Sequence, residues 1–294
     1  MESIPAKTII GRAKSPSDWF GAQYNMNLYR GCSHGCIYCD SRSECYGDKT
    51  FDRIKVKENA LRILRDELRR KVKTGVIATG AMSDPYNPLE EELKLTRSAL
   101  ELANAYGFGV AITTKSPLVV RDADVLCDIK EHSPVLIKLT ITTAEDDLCK
   151  KVEPCVAPSS ERFAAIEALA KKGICCGVLM MPILPFINDS EENIVAITER
   201  AAASGASFVF PALGMTLRAG NREYYYEKLG EAFPGVREQY IKRYGEQYNC
   251  PSPKAKKLWE TFAAQCKRLG LLYRMRDIIS RYKMGYESEQ LTFL

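Results

Sequence analysis

Cys32, Cys36 and Cys39 fall inside eight positions of the stretch YRGCSHGCIYCDSR, residues 29–42, with Gly31 and Gly35 loosening the backbone around them. Thiolates this close suggest a metal centre, because iron–sulfur clusters are held by cysteine sulfurs, one per iron. Three ligands can seat a four-iron cube with one iron left bare, and an open coordination position is what a catalytic metal needs. Zinc is the competing reading, since His34 lies in the same run. Structural zinc sites usually draw ligand pairs from separate turns, and four ligands in eight residues fit a tetrahedron poorly, so His34 reads as a loop residue.

Other polar residues recur where short apolar runs end. Ser83 and Asp84 follow VIATGAM, Lys115 follows VAITT, Thr140 and Thr142 close VLIKLTITT, and Asn188 and Asp189 follow CCGVLMMPILP. Hydroxyls and a point-charge ammonium suit the head group of an amino acid. Asp84 also belongs to a two-proline turn, Glu153 and Arg162 can form an ordinary ion pair, and helix capping accounts for Asn188 and Asp189.

The elements that must position these residues alternate regularly. Amphipathic helical stretches at 57–75, 90–107, 118–132, 159–173 and 190–205 separate the apolar runs, and a short strand from about Tyr24 to Tyr29 precedes the cysteines. With the last apolar run, SFVFPALGM, six strand-and-helix units are counted, and they predict an α/β fold with a parallel sheet covered by helices. In such folds ligands sit at the carboxyl ends of the strands. One ligand met by every strand end favours a barrel over a doubly wound sheet.

Beyond Met215 the strand rhythm stops and three helical segments are expected. The clearest is SPKAKKLWETFAAQCKRLG, with Ser252 as N-cap, Pro253 at the first helical position, Gly270 past the end, and the stripe Leu258, Phe262, Cys266, Leu269 facing the barrel. Tyr240, Tyr244 and Tyr248 recur every four residues with Lys242 and Arg243 between them. That is a packing stripe by default, or a set of faces for bases and phosphates. The regions expected are an N-terminal extension (1–23), the barrel (24–216), a basic helical region (217–284) and a mobile tail (285–294).

Composition bounds the rest. The 294 residues carry a net charge of +5, and residues 217–294 hold 15 Lys+Arg against 9 Asp+Glu, leaving 27 against 28 elsewhere. A basic C-terminal quarter attracts a polyanion such as DNA or is simply a solvated face. No apolar run reaches the roughly 20 residues that span a bilayer, so a cytoplasmic protein with no membrane partner is expected. The eleven cysteines then read as thiols or ligands rather than disulfides.

The C-x3-C-x2-C spacing, with Tyr38 before the last cysteine and a strand before the first, resembles the signature of radical S-adenosylmethionine (SAM) enzymes. SDPYNPLE, TTKS, KKVEP, PSSERFAAI and GVLMMPILPFIND extend the likeness, over about residues 24–216, to the spore photoproduct lyase-like, or DNA-repair-photolyase-like, branch. The resemblance implies a partial (β/α)6 TIM-type barrel, a [4Fe–4S] cluster on Cys32, Cys36 and Cys39, and SAM on the bare iron. Its reductive cleavage to a 5′-deoxyadenosyl radical abstracts hydrogen from a substrate. Tyr38 would lie beside the adenine, while Ser83, Asp84, Lys115, Thr140 and Arg162 would surround SAM. Spore photoproduct lyases carry a hydrogen-donating cysteine two residues before the serine, and here that position is Ala81. Cys45, Cys155, Cys176, Cys250 or a tyrosine are the remaining donors.

The substrate implied is a nucleic acid base, with a peptide or small metabolite, or a non-catalytic metal module that binds DNA or senses redox state, as alternatives. Flavodoxin or ferredoxin is the expected electron donor. The ending QLTFL, Gln290 to Leu294, is similar to peptides that dock on the DNA sliding clamp.

Overall fold

The alternation of apolar runs and amphipathic stretches folds in the order in which it is written. In the computed structural model, which describes residues 2–13, 19–48, 50–71 and 73–286, the chain opens with β1 (Glu2–Ile4), β2 (Ile10–Arg12), β3 (Tyr24–Met26), β4 (Tyr29–Arg30) and β5 (Lys55–Lys57). There follow α1 (Ala60–Arg69), β6 (Val76–Thr79), α2 (Glu90–Leu93), α3 (Leu95–Ala105), β7 (Gly109–Thr114), α4 (Ala123–Lys130), β8 (Val135–Thr140), α5 (Asp146–Val152) and α6 (Ser159–Lys171). The chain continues through β9 (Cys175–Met180), α7 (Glu191–Ala203), β10 (Phe208–Pro211), β11 (Gly214–Thr216), α8 (Asn221–Ala232), α9 (Val236–Tyr244), β12 (Asn249–Pro251), α10 (Ala255–Leu269) and α11 (Met275–Lys283).

β3, β6, β7, β8, β9 and β10 lie side by side in parallel, and β2 runs antiparallel along the outer edge of β3. These are the six expected units, and they form a partial (β/α)6 barrel. Both faces of the strands are apolar because both are covered. Ile77, Val110, Ile112, Ile137, Leu139 and Val178 pack against the helices. Val76, Ala111, Leu136, Leu179 and Phe208 turn inward, where Phe20 and, from α11, Ile278 and Tyr282 close the floor.

The structure corrects several expectations. The first strand ends at Met26, and Tyr29 opens β4, which belongs to a separate small sheet in the order β1-β5-β4. The stretch 90–107 is two helices, because Lys94 takes a left-handed turn (φ 48°) that lets the buried Glu90 carboxylate accept the Thr96 N–H at 2.6 Å. Beyond Met215 the described residues form four helices rather than three, and β11 pairs antiparallel with β12. α10 begins at Ala255, and Ser252 Oγ instead accepts from Lys254 N at 3.0 Å and donates to Asp189 at 2.6 Å. The stripe Leu258, Phe262 and Cys266 is buried against the barrel's outer core, as its spacing predicts.

Ser190, not its two neighbours, caps α7 by accepting from Asn193 N. Asn188 and Asp189 brace the preceding loop through Leu184 N, Thr142 O and Phe186 N. The C-terminal stretch is anchored as far as Tyr286: the buried Tyr282 hydroxyl donates to Phe20 O at 2.6 Å, and that of Tyr286 to Lys130 O at 2.5 Å. The segment Gln290–Leu294 lies outside the described residues.

Candidate active site

The cysteine loop is held from two sides. On one, Gly31 (φ +81°) lets the chain run against the turn that precedes β5, where any Cβ would come within 2.3 Å of Arg53 O, and Cys32 N donates to Phe51 O at 2.7 Å. On the other stands the turn after α5. Ile37 N donates to Val152 O at 3.0 Å, Cys155 N to His34 O at 3.2 Å, and the Tyr38 hydroxyl to the Glu153 carboxylate. Glu153 is fully buried and pairs with the equally buried Arg162 at 2.5 Å. Arg162 also donates to Ala157 O and Thr140 O, both at 2.8 Å. One ion pair thereby joins the loop, α5, α6 and the end of β8.

Cys32, Cys36 and Cys39 border a cavity of about 80 Å³, together with Ser83, Lys115 and Thr140 from the ends of β6, β7 and β8. The Ser83 and Thr140 hydroxyls and the Lys115 ammonium make no hydrogen bond with any described residue, and Lys115 Nζ lies 5.8 Å from the Tyr38 ring centroid. Gly80 (φ +92°) makes the approach of β6 to β7 possible, since a Cβ there would fall 1.8 Å from Thr113 O. Asp84 is brought to the same place with its carboxylate already engaged. It accepts from Thr114 Oγ1 at 2.6 Å, Lys115 N at 2.8 Å and Tyr86 N at 2.9 Å, with His34 Nδ1 at 3.5 Å.

Burial sets the charges here. It pushes the Cys32 thiol up to about 11 and raises Cys36 further, while it lowers His34 and favours a neutral imidazole. Burial lowers the Lys115 pKa, but Cys36 as a thiolate, Glu153 and Asp84 outweigh it and favour the ammonium. Burial also opposes the Glu153 charge, and Arg162 and Lys115 reverse that, so the pair is ionic.

A second cavity, of about 590 Å³, shares Cys39, Ser41 and Ala81 with the first. Its walls are Tyr38, Met181, Pro182, residues 212–216 and residues 249–251, and Asp40 is the one charged side chain among its described lining. Sequence reading missed this wall, because the pairing of β11 with β12 spans more than thirty residues and leaves no periodic trace. The glycine break in PALGM after β10 was the available signal. Of the spare thiols, Cys45 and Cys155 are exposed, Cys176 is buried with its sulfur against Ile166 O, and Cys250 packs with Tyr225, Tyr240 and Tyr244. Tyr240 and Tyr244 are core residues, whereas Tyr248 is 45% exposed.

A parallel partial barrel with a three-thiolate loop at its mouth, facing unpartnered polar strand ends, defines an iron–sulfur enzyme that holds a small polar co-substrate. The model of the radical SAM superfamily matches residues 26–197, and the chain belongs to that superfamily. An uncharacterised protein of Mycobacterium tuberculosis is 32% identical over 233 residues, 77% of this chain and 67% of its own. One of Methanocaldococcus jannaschii is 36% identical over 192 residues, 64% of this chain and 69% of its own. Spore photoproduct lyase complexed with dinucleoside spore photoproduct superposes with a TM-score of 0.64 at 17% identity, over 88% of this chain and 78% of that one.

The chain is a radical SAM enzyme, whose family cofactors are a [4Fe–4S] cluster and SAM. The residues present fit both. Among the described residues no three His, Cys, Asp or Glu side chains gather tightly enough for a single ion. A cube asks instead for one thiolate at each of three separated irons, which a cavity bordered by three cysteines supplies.

Proposed function

We propose that this enzyme directs its radical at a nucleic acid base, in the repair or modification of DNA, by lyase-type or related chemistry. The observation that carries this reading is the 590 Å³ cavity opening beside Cys39. It is lined mostly by uncharged side chains, a setting for a planar, neutral base, and one side of its outer wall, residues 249–251, belongs to the basic region after residue 217. The fold shared with spore photoproduct lyase adds support.

Cys32, Cys36 and Cys39 hold the cluster in this reading. Lys115, Ser83 and Thr140 bind the carboxylate and amino group of SAM, and Tyr38 flanks its adenine. Asp84 and Arg162 act one step behind, fixing Lys115 and Thr140. Bound together and reduced, cluster and SAM supply a 5′-deoxyadenosyl radical that removes a hydrogen atom from the substrate. Ala81 stands where a donor thiol would, so hydrogen return follows another route than in the spore enzyme. The electron comes from flavodoxin or ferredoxin, the enzyme works in the cytoplasm, and Gln290–Leu294 docks on the sliding clamp.

The test is anaerobic: reconstitute with iron and sulfide, reduce, add SAM, and quantify 5′-deoxyadenosine with and without DNA, beside Cys36→Ala. Product that depends on Cys36 and rises with DNA is expected. Cleavage indifferent to DNA would move the substrate to a peptide or metabolite. Clamp docking is checked by deleting residues 288–294, which should abolish clamp binding and leave cleavage intact.

A further inference from the structure

Few large apolar side chains are exposed among the described residues, yet two of them, Tyr46 and Tyr248, converge on one guanidinium from segments about two hundred positions apart. Arg218 lies 6.0 Å from the Tyr46 ring centroid and 4.9 Å from that of Tyr248, and it donates to the Tyr248 hydroxyl at 2.8 Å. Tyr46 is 38% and Tyr248 45% exposed.

The group stands at the lip of the larger cavity. Tyr248 directly precedes Asn249, Arg218 comes two residues after Thr216, and Leu217 N donates to Tyr248 O at 2.9 Å, so the lip continues the β11–β12 wall. Asp40, which lines the cavity, ties the lip to it: its carboxylate takes the Tyr46 hydroxyl at 3.1 Å and faces Arg218 Nε at 3.4 Å.

We propose that Tyr46, Arg218 and Tyr248 form a stacking platform for an unpaired base of a nucleic acid strand, next to the nucleotide whose base enters the cavity. This rests on the nucleic acid reading above and names how that substrate is held. Exposed aromatic faces beside a planar cation are what flat, unpaired bases stack on, whatever their sequence. A duplex keeps its bases stacked on one another and offers no free face. The guanidinium already faces Asp40, so the platform neutralises little phosphate charge and contributes through ring contact. Losing it should therefore cost affinity without changing the salt dependence.

The test uses the anaerobically reconstituted enzyme without SAM, so binding is read apart from turnover. Fluorescence anisotropy follows a labelled twelve-nucleotide DNA single strand, the same sequence as duplex, and its RNA counterpart, across a salt series. Wild type should prefer the single strands. The double variant Tyr46→Leu/Tyr248→Leu should bind them about 5-fold to 150-fold more weakly, with an unchanged slope of log affinity against log salt. Tyr248→Phe, which keeps the ring, should stay within about twofold of wild type. Preference for the RNA strand keeps the platform and moves the substrate from DNA to RNA. A leucine variant that binds like wild type, or one whose loss appears only as a shallower salt slope, overturns the platform and leaves the nucleic acid reading standing. Wild type that binds none of the probes overturns both.

Discussion

Lys115 carries the sharpest expectation at the scale of single residues. Its ammonium borders the small cavity, is held charged by its neighbours and has no hydrogen-bond acceptor of its own among the described residues. Lys115→Met should leave iron and sulfide content unchanged and weaken SAM about 10-fold or more by equilibrium dialysis, the worth of a hydrogen bond to a charged group. Glu153→Ala acts differently. It strands the Arg162 charge in a site without solvent and should cost about 3–5 kcal/mol in urea unfolding, as removal of one partner of a buried pair does. It should also loosen the cysteine loop, seen as faster loss of iron to a chelator. That Cys32, Cys36, Cys39, Ser83, Lys115 and Thr140 meet at one cavity was legible in the sequence, because ligand spacing and strand-end position are local patterns. The grip of Glu153 on Tyr38 was not, since nothing in KKVEP says which distant hydroxyl that carboxylate will take.

Among the elements, β8 carries an unusual burden. Alternation places Lys138 on the same face as Leu136, inside the barrel, where Nζ lies 4.6 Å from the Phe20 ring centroid and 3.4 Å from Ala111 O. Burial, with no charged partner among the described residues to offset it, lowers its pKa to about 7. The unfolded chain holds that proton up to about pH 10.4. Between these values the unfolded state binds more protons than the folded one, so stability rises with pH, by at most about 1.4 kcal/mol per unit, and below about pH 7 the full penalty remains. Lys138→Met should be more stable at pH 7, and the difference from wild type in urea unfolding should shrink steadily toward pH 10. The strands and helices themselves were readable because period and apolar runs specify them. The break at Lys94 was not, because it answers to Glu90 and its partners from β4 and the segment before α4. Tyr282 shows the same limit: in the sequence it falls in the basic helical region, in the fold it closes the floor of the barrel, and Tyr282→Ala should cost about 3–5 kcal/mol, as for other large aromatic truncations.

At the scale of the molecule, parallel architecture and strand count follow from the order of the elements, whereas the wall of the 590 Å³ cavity depends on a contact between distant segments. β11 ends the barrel stretch, and its partner β12 arrives only after α8 and α9. That separation has a bearing on how the protein is made. When synthesis has reached residue 216, the strands that carry Ser83, Lys115 and Thr140 and the buttress at Glu153 already exist, but β11 has nothing to pair with. The side of the cavity next to Cys39 then stands open to solvent until residues 249–251 emerge from the ribosome and join it. The cysteine loop should be most accessible to iron and sulfide in that interval, before the wall made by β12 is in place.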